Sequence, residues 1–194
     1  QGEGIASAHD IIRFKHPIDA ADIVPDCLPR ALFLDALDGT PIDDYRSDGK
    51  SGFARAGVAK VYAIAGGQLT VTWTFSGLAG QSFTTVLNLA MPSCDGFLGR
   101  YSLADGSIPS GFGQALVLPE TRRLNLEDGV LGGTLELSAS HPVGLAGRPH
   151  HTVSQSEAGF EKIMQAVELT CSCVIPTNDC SLSLQLTIKK TAQP

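Results

Sequence analysis

The chain has 194 residues, a formal net charge of −6, 43% hydrophobic residues and 18% charged residues. That length can bury the core of one domain, and that composition excludes a disordered tail. Its Lys and Arg are scattered, with pairs only at Arg122-Arg123 and Lys189-Lys190, so no basic arm of the kind that grips nucleic acid is present. The first thirty residues, interrupted by Pro17, Pro25 and Pro29, read as an extended arm with a short strand at 11–14. Residues 31–37 read as a strand closed by the turn pair Asp38-Gly39, and 41–52 as a polar loop. Residues 53–64 read as a short helix weakened by Gly57 and ended by Gly66-Gly67.

Beyond this point the β signal is strong. Leu69, Val71, Trp73 and Phe75 alternate with Thr70, Thr72 and Thr74, the period of a half-buried strand with threonines on the wetter face. Residues 83–89 form a second strand after a Gly-containing turn at 77–80, and the two are expected to pair antiparallel. Residues 91–113 read as a long loop. Weaker strands follow at 115–118 and 124–126, a better one at 134–138, and a second long loop at 141–160. Residues 163–174 and 181–188 complete the set, joined by the compact turn Pro176-Thr177-Asn178-Asp179 and expected to form a hairpin. Strands joined by both short turns and very long loops predict an all-β fold, an eight-stranded jelly-roll (Greek-key) β-sandwich with long loops.

Few residues point to chemistry. The five cysteines, Cys27, Cys94, Cys171, Cys173 and Cys180, are odd in number and irregular in spacing, which reads as reduced thiols packed as small hydrophobes in a cytosolic protein. A site at Cys171, Cys173 and Cys180 lacks a fourth ligand at zinc-like spacing. His9, His16 and His141 are dispersed, and the adjacent His150-His151 are expected to point to opposite faces of any strand. No Gly-x-Ser-x-Gly elbow occurs, residues 106–111 resembling one only loosely, and nothing links Cys94 to His151. Asp35, Asp38, Asp43, Asp44 and Asp48 do not match a calcium loop and read as solvated turn residues. Gly129, Gly132 and Gly133 read as turn glycines, not a phosphate loop. Trp73 could be a sugar-stacking platform, but shares a face with Leu69, Val71 and Phe75 and reads as core. No catalytic, cofactor-binding or metal-ligating residue and no cofactor is assigned.

The order of elements and several phrases resemble the small coat protein of the plant picorna-like viruses, the comovirus and fabavirus group of secovirids. The matching residues are Ala54-Arg55-Ala56-Gly57-Val58-Ala59, the strand from Gly67 to Gly77, and the strand from Gly80 through Met91-Pro92. Leu32 to Gly39 resembles that family's first core strand, and the resemblance extends over roughly residues 30–190. It implies a structural capsid subunit of an icosahedral plant virus, packing with copies of itself and a larger two-domain coat protein around fivefold axes to enclose RNA. It further implies a product cut from a polyprotein by a protease that favours Gln before Gly, which suits the Gln1-Gly2 start, assembled in the host cytoplasm, located in the virion, without enzymatic activity and without membrane contact. On this reading residues 1–30 are an arm, 31–190 one jelly-roll domain and 191–194 a tail. The alternative, from a different class, is a secreted or surface β-sandwich that binds carbohydrate or protein.

Overall fold

A computed structural model describes residues 17–23, 25, 29–91, 98–156 and 159–190. The expected strand at 11–14 lies outside the described residues. Among those described, a single 3-10 turn at Ala20–Ile23 precedes thirteen strands. They are β1 (Leu32–Leu37), β2 (Thr40–Pro41), β3 (Arg46–Ser47), β4 (Gly52–Arg55), β5 (Val58–Ala65), β6 (Gln68–Ser76), β7 (Ser82–Leu89), β8 (Gly99–Ser102), β9 (Ser110–Gly111), β10 (Leu116–Asp128), β11 (Gly133–Ser156), β12 (Gly159–Val174) and β13 (Asp179–Lys190). The fold is all-β, as expected, and every pairing is antiparallel. The strands join into one curled sheet ordered β2-β1-β7-β12-β11-β13-β6-β5-β4-β3, with β10, β8 and β9 branching from β11. Eight strands were expected, and the larger number comes from segments read as helix or loop.

The predicted helix at 53–64 is a hairpin of β4 and β5. Gly57 sits at φ +80° in the two-residue turn between them, where Arg55 faces Val58. Gly66 and Gly67, both at positive φ, make the next tight turn, into β6, with Ala65 opposite Gln68. Two consecutive positive φ angles match the twist of a hairpin and suit glycine. The alanines here carry helical propensity, but an isolated short helix gains little from it, while pairing with β6 lets Val58 and Lys60 bury one face.

The long loop expected at 141–160 is most of β11 and the start of β12. Pro142 and Pro149 suggested irregular chain, yet each stands where no ladder partner needs its N–H. Pro142 lies in the irregular stretch where the register with β10 jumps from Thr121↔Val143 to Arg123↔Ser138. Pro149 lies past Gly147, the last residue of β11 that pairs with β10, so one side of the strand is open there.

Two expected hairpins do not form. β6 pairs with β5 and β13, and β7 with β1 and β12, so three strands separate them in the sheet. Each has one apolar face, and a hairpin would set both faces side by side with nothing above them. Curling the sheet brings them face to face, with Trp73 of β6 5.4 Å and Phe75 4.9 Å from Phe83 of β7 between ring centroids. Such aromatic pairs add about 1 kcal/mol each to the burial they accompany. Likewise β12 and β13 are joined by residues 175–178 but do not pair. β11 serves both, its first part (Gly133 to Ala139) laddering with β13 and its later part (Gly144 to Ser156) with β12.

The curl encloses a charge pair. A bulge at Phe33, which has φ +60°, turns Phe33, Asp35 and Leu37 of β1 inward. Asp35 is therefore not the solvated turn aspartate expected of it. Its side chain is fully buried, and Oδ2 accepts from Trp73 Nε1 at 2.9 Å and Tyr45 OH at 2.8 Å, with Lys60 Nζ at 2.9 Å. Lys60, on β5 at the other end of the sheet, also donates to the Phe33 carbonyl at 2.7 Å. Its ammonium lies 5.3–5.9 Å from the ring centroids of Phe33, Tyr45, Tyr62 and Trp73. Burial, then the Asp35 charge and hydrogen bond, drive the Tyr45 phenol far above its ordinary range, so it stays a donor.

Lys60→Met is expected to lower unfolding free energy by about 3–5 kcal/mol, because it strands a buried carboxylate. Lys60→Met combined with Asp35→Leu should cost clearly less than the sum of the single variants in urea unfolding, and simple additivity would show that the pair is not coupled. The thiol of Cys171, pushed up to about 12 by burial and then by neighbouring Cys173, should stay unreactive to a disulfide reagent at pH 8 until the chain unfolds. Rapid labelling of Cys171 in the folded protein, located by peptide mass, would contradict that packing.

Candidate functional site

The residues singled out in the sequence are mostly structural. Trp73 is 0% exposed and bonded to Asp35, so it offers no sugar platform and is core, as read. Cys171, Cys173 and Cys180 are free thiols, and the latter two line an apolar cleft of about 410 Å³ with Phe75, His141 and Ile175. Cys27, Cys94, His9 and His16 lie outside the described residues. Among those described, no three His, Cys, Asp or Glu side chains are grouped to hold a metal. Asp48 accepts from Lys50 N and Gly52 N, the bonds of a turn residue, whereas Asp38 accepts from Ser82 N and so ties the end of β1 to the start of β7. Asp128 holds the β10–β11 turn through Val130 N and Leu131 N, beside Gly129, Gly132 and Gly133. Asp105 fixes the turn at Gly106 and Ser107, in the segment that loosely resembled an elbow.

A polar cleft of about 230 Å³ is the exception. It lies between β11, β12 and the segment that precedes β1, and is lined by Asp22, Arg30, Arg148, His150, His151 and Glu168 among others. Its geometry follows from register. Gln165, exposed, is the extra residue of a bulge, since His150 faces Ala166 while His151 faces Met164. The bulge changes which residues of β12 face inward, from Met164 before it to Val167, Leu169 and Cys171 after it. Glu168 is thereby left on the opposite face, across from Arg148 on β11 and Asn88 on β7. Both histidines line the cleft at this bulge, although side-chain alternation predicts opposite faces for them.

Glu168 is the centre of the arrangement. Arg148 Nε donates to Oε1 at 2.7 Å, and Arg30 donates to Oε2 and to Asn88 Oδ1. Burial alone pushes the carboxyl up and is the largest single effect. The hydrogen bonds and charges of Arg148 and Arg30 together outweigh it and hold Glu168 below the ordinary carboxylate range. On the opposite wall Lys162 pairs with Asp22 at 2.6 Å, and that hydrogen bond keeps Asp22 low as well. Among the described residues no Ser, Thr or Cys lines the cleft, and both carboxylates are ionised with cations upon them. The arrangement can bind and orient a polar group, and neither of its two carboxylates keeps a proton to donate.

Sequence reading missed Asp22, Arg30, Arg148 and Glu168. The available signal was Glu168 within the apolar run Val167 to Cys171, a charge that must face away from the core. Its partners, 20 and 138 residues away, become visible only with the strand register.

The model of the family described as Alpha-amylase/4-alpha-glucanotransferase, C-terminal, matches residues 44–186. Among solved structures, the 4-alpha-glucanotransferase of Thermococcus litoralis aligns at 14% identity with a TM-score of 0.55, over 93% of this chain and 31% of that one. The Slr1438 protein from Synechocystis sp. PCC 6803 aligns at 12% identity with a TM-score of 0.44, over 86% of this chain and 65% of that one. No curated protein matches in sequence. At these identities the T. litoralis likeness shows a shared fold, and the chain spans under a third of that enzyme's length.

These findings overturn the resemblance to a small viral coat protein and what it implied: capsid function, a larger two-domain coat partner, enclosed RNA, residence in a virion and a setting unconnected with enzymes. The phrases that carried it, alternating strands between Gly and Pro turns, are what any antiparallel sheet requires, and the hairpin of β6 and β7 that they implied does not exist. The chain belongs to the family of alpha-amylase/4-alpha-glucanotransferase C-terminal domains.

Proposed function

We propose that this chain is the accessory β-domain of an α-glucan-processing enzyme and contributes a glucan-contacting surface, not the bond-breaking step. The observation that carries the reading is the family match over residues 44–186, supported by the likeness to the T. litoralis enzyme over 93% of the chain. The accessory role is supported by the cleft. Glycoside chemistry on two carboxyl groups needs one that keeps its proton, and Glu168 and Asp22 are both held low by their cations. Phe160, at the start of β12 and 69% exposed, offers a ring on which the C–H face of a glucose unit can stack.

The finer architecture belongs to the same proposal. The ring contacts between β6 and β7 support reading the curled sheet as a two-layered Greek-key sandwich related to a jelly roll, with one domain over 31–190, an arm at 1–30 and a tail at 191–194.

Native electrophoresis through gels containing amylopectin tests the glucan surface. The chain should be retarded relative to its mobility in plain gels, and Phe160→Ala should weaken retention by roughly fivefold, about 1 kcal/mol, with an unchanged unfolding midpoint. Equal mobility of the unaltered chain with and without polysaccharide would refute glucan contact.

A further inference from the structure

We propose that Cys173 and Cys180 are a modification site, a thiol pair that a small disulfide oxidant of the class of oxidised glutathione converts into a covalent bond between β12 and β13. The inference does not rest on the glucan reading.

Placement is the first argument. β12 and β13 follow one another in the chain but share no ladder, and β11 crosses from β13 to β12 between Ala139 and Gly144. The apolar cleft of about 410 Å³ lies at that crossing, with His141 and Pro142 on one side and both Cys173 and Cys180 in its lining. Each thiol continues the inward face of its strand. Cys173 follows Val167, Leu169 and Cys171, and Cys180 precedes Leu182, Leu184 and Leu186. Cys173 stands opposite Phe83 on β7, and Cys180 opposite Phe75 on β6. Those two rings meet across the curl at 4.9 Å between centroids, so the cysteines are the adjoining pair across the same gap.

Reach is the second. The strand ends are fixed by the four residues that join them. Ile175 is 0% exposed, donates to Gln81 O at 2.9 Å and accepts from Gly80 N at 2.8 Å. The Asn178 carbonyl accepts from Gly77 N at 2.8 Å. Folding thereby keeps the two thiols at one corner. Burial and then the neighbouring Cys180 raise the Cys173 thiol, so the pair lies within electrostatic reach. Both are half-buried and open to a small oxidant, whereas Cys171 is 1% exposed and does not line the cleft. Cys171 and Cys173, two apart on one strand, are poorly set to bridge each other.

Chemistry is the third. Burial keeps Cys173 protonated, so Cys180 opens the exchange, giving up only a weak bond to the Thr177 carbonyl at 3.5 Å. Its thiolate attacks one sulfur of the oxidant, forming a mixed disulfide and releasing one glutathione thiolate, which takes up a proton. Cys173, on losing its own proton, attacks the Cys180 sulfur and releases the second glutathione as thiol. The protein gives up two hydrogens with their electrons, and the oxidant is reduced to two thiols. The resulting bridge ties strands that no backbone ladder joins.

The test incubates the intact folded chain with oxidised glutathione, alkylates remaining thiols after unfolding, and maps the unreduced peptides by mass. Peptides carrying Cys173 and Cys180 should appear joined and two hydrogens lighter than their sum. The midpoint of thermal unfolding should rise by roughly 5–10 °C and return on reduction with dithiothreitol. Cys180→Ser should abolish the joined peptide and the rise together, while Cys171→Ala should keep both. Recovery of Cys173 and Cys180 as alkylated thiols would overturn the pair. So would their recovery only as mixed disulfides with glutathione, or joined to Cys27, Cys94 or Cys171. The peptide map of the unaltered chain decides the matter even where a variant fails to fold.

Discussion

The contact between Asp35 and Lys60 ties together regions that the sheet itself keeps far apart. β1 and β5 are separated by β7, β12, β11, β13 and β6, so no ladder brings them near each other. Only the curl does, and the charge pair rewards that curl and no flatter alternative. An unpaired charge inside the core costs several kcal/mol, whereas Asp35 with Lys60, Trp73 and Tyr45 as partners is well satisfied on Oδ2. Oδ1 of the same carboxylate finds no hydrogen bond among the described residues, which makes the attraction of Lys60 more important to the balance. The bulge at Phe33 is part of the same device, since it turns both the Phe33 ring and its carbonyl toward the lysine.

The molecule uses one motif, a carboxylate gripped by cations and donors, in two settings with different consequences. Inside, Asp35 is gripped by groups that are themselves enclosed, so the motif specifies the curl. On the outer face, Glu168 is gripped by Arg148 and Arg30, of which Arg148 remains 67% exposed and meets the cleft. The first arrangement orders the core, and the second orders a surface. Both depend on a bulge, at Phe33 in β1 and at Gln165 in β12, that changes which residues of the strand face inward.

The coat-protein resemblance shows how far strand cadence alone can mislead. Trp73 and its flanking threonines do form a half-buried strand, with Thr72 bonded to Ser183 and Thr70 to Gln185 across the outer face of β6 and β13. The error lay in partnership. Short Gly-containing connections such as 77–81 suit a hairpin and an over-the-top crossing equally well, and the two produce different folds from the same strands. Family membership restores an enzyme context and leaves the β character untouched.

By itself the sequence determined the all-β class, the burial of Trp73, the strands around Leu34, Val71, Leu87, Leu169 and Leu184, and the turn role of Asp48. Each follows from local physics: side-chain alternation, β-branching, and short polar side chains that bond their own backbone. Tertiary structure alone decided that residues 53–64 are strands and not a helix, that β11 continues through Pro142 and Pro149, and that β6 faces β7 instead of pairing with it. It also decided that Asp35 is buried and that Glu168 gathers Arg30 and Arg148. These outcomes depend on which strands become neighbours. Neighbours are chosen by the burial of whole faces and the pairing of charges distant in the chain, a free energy that no local window of residues contains.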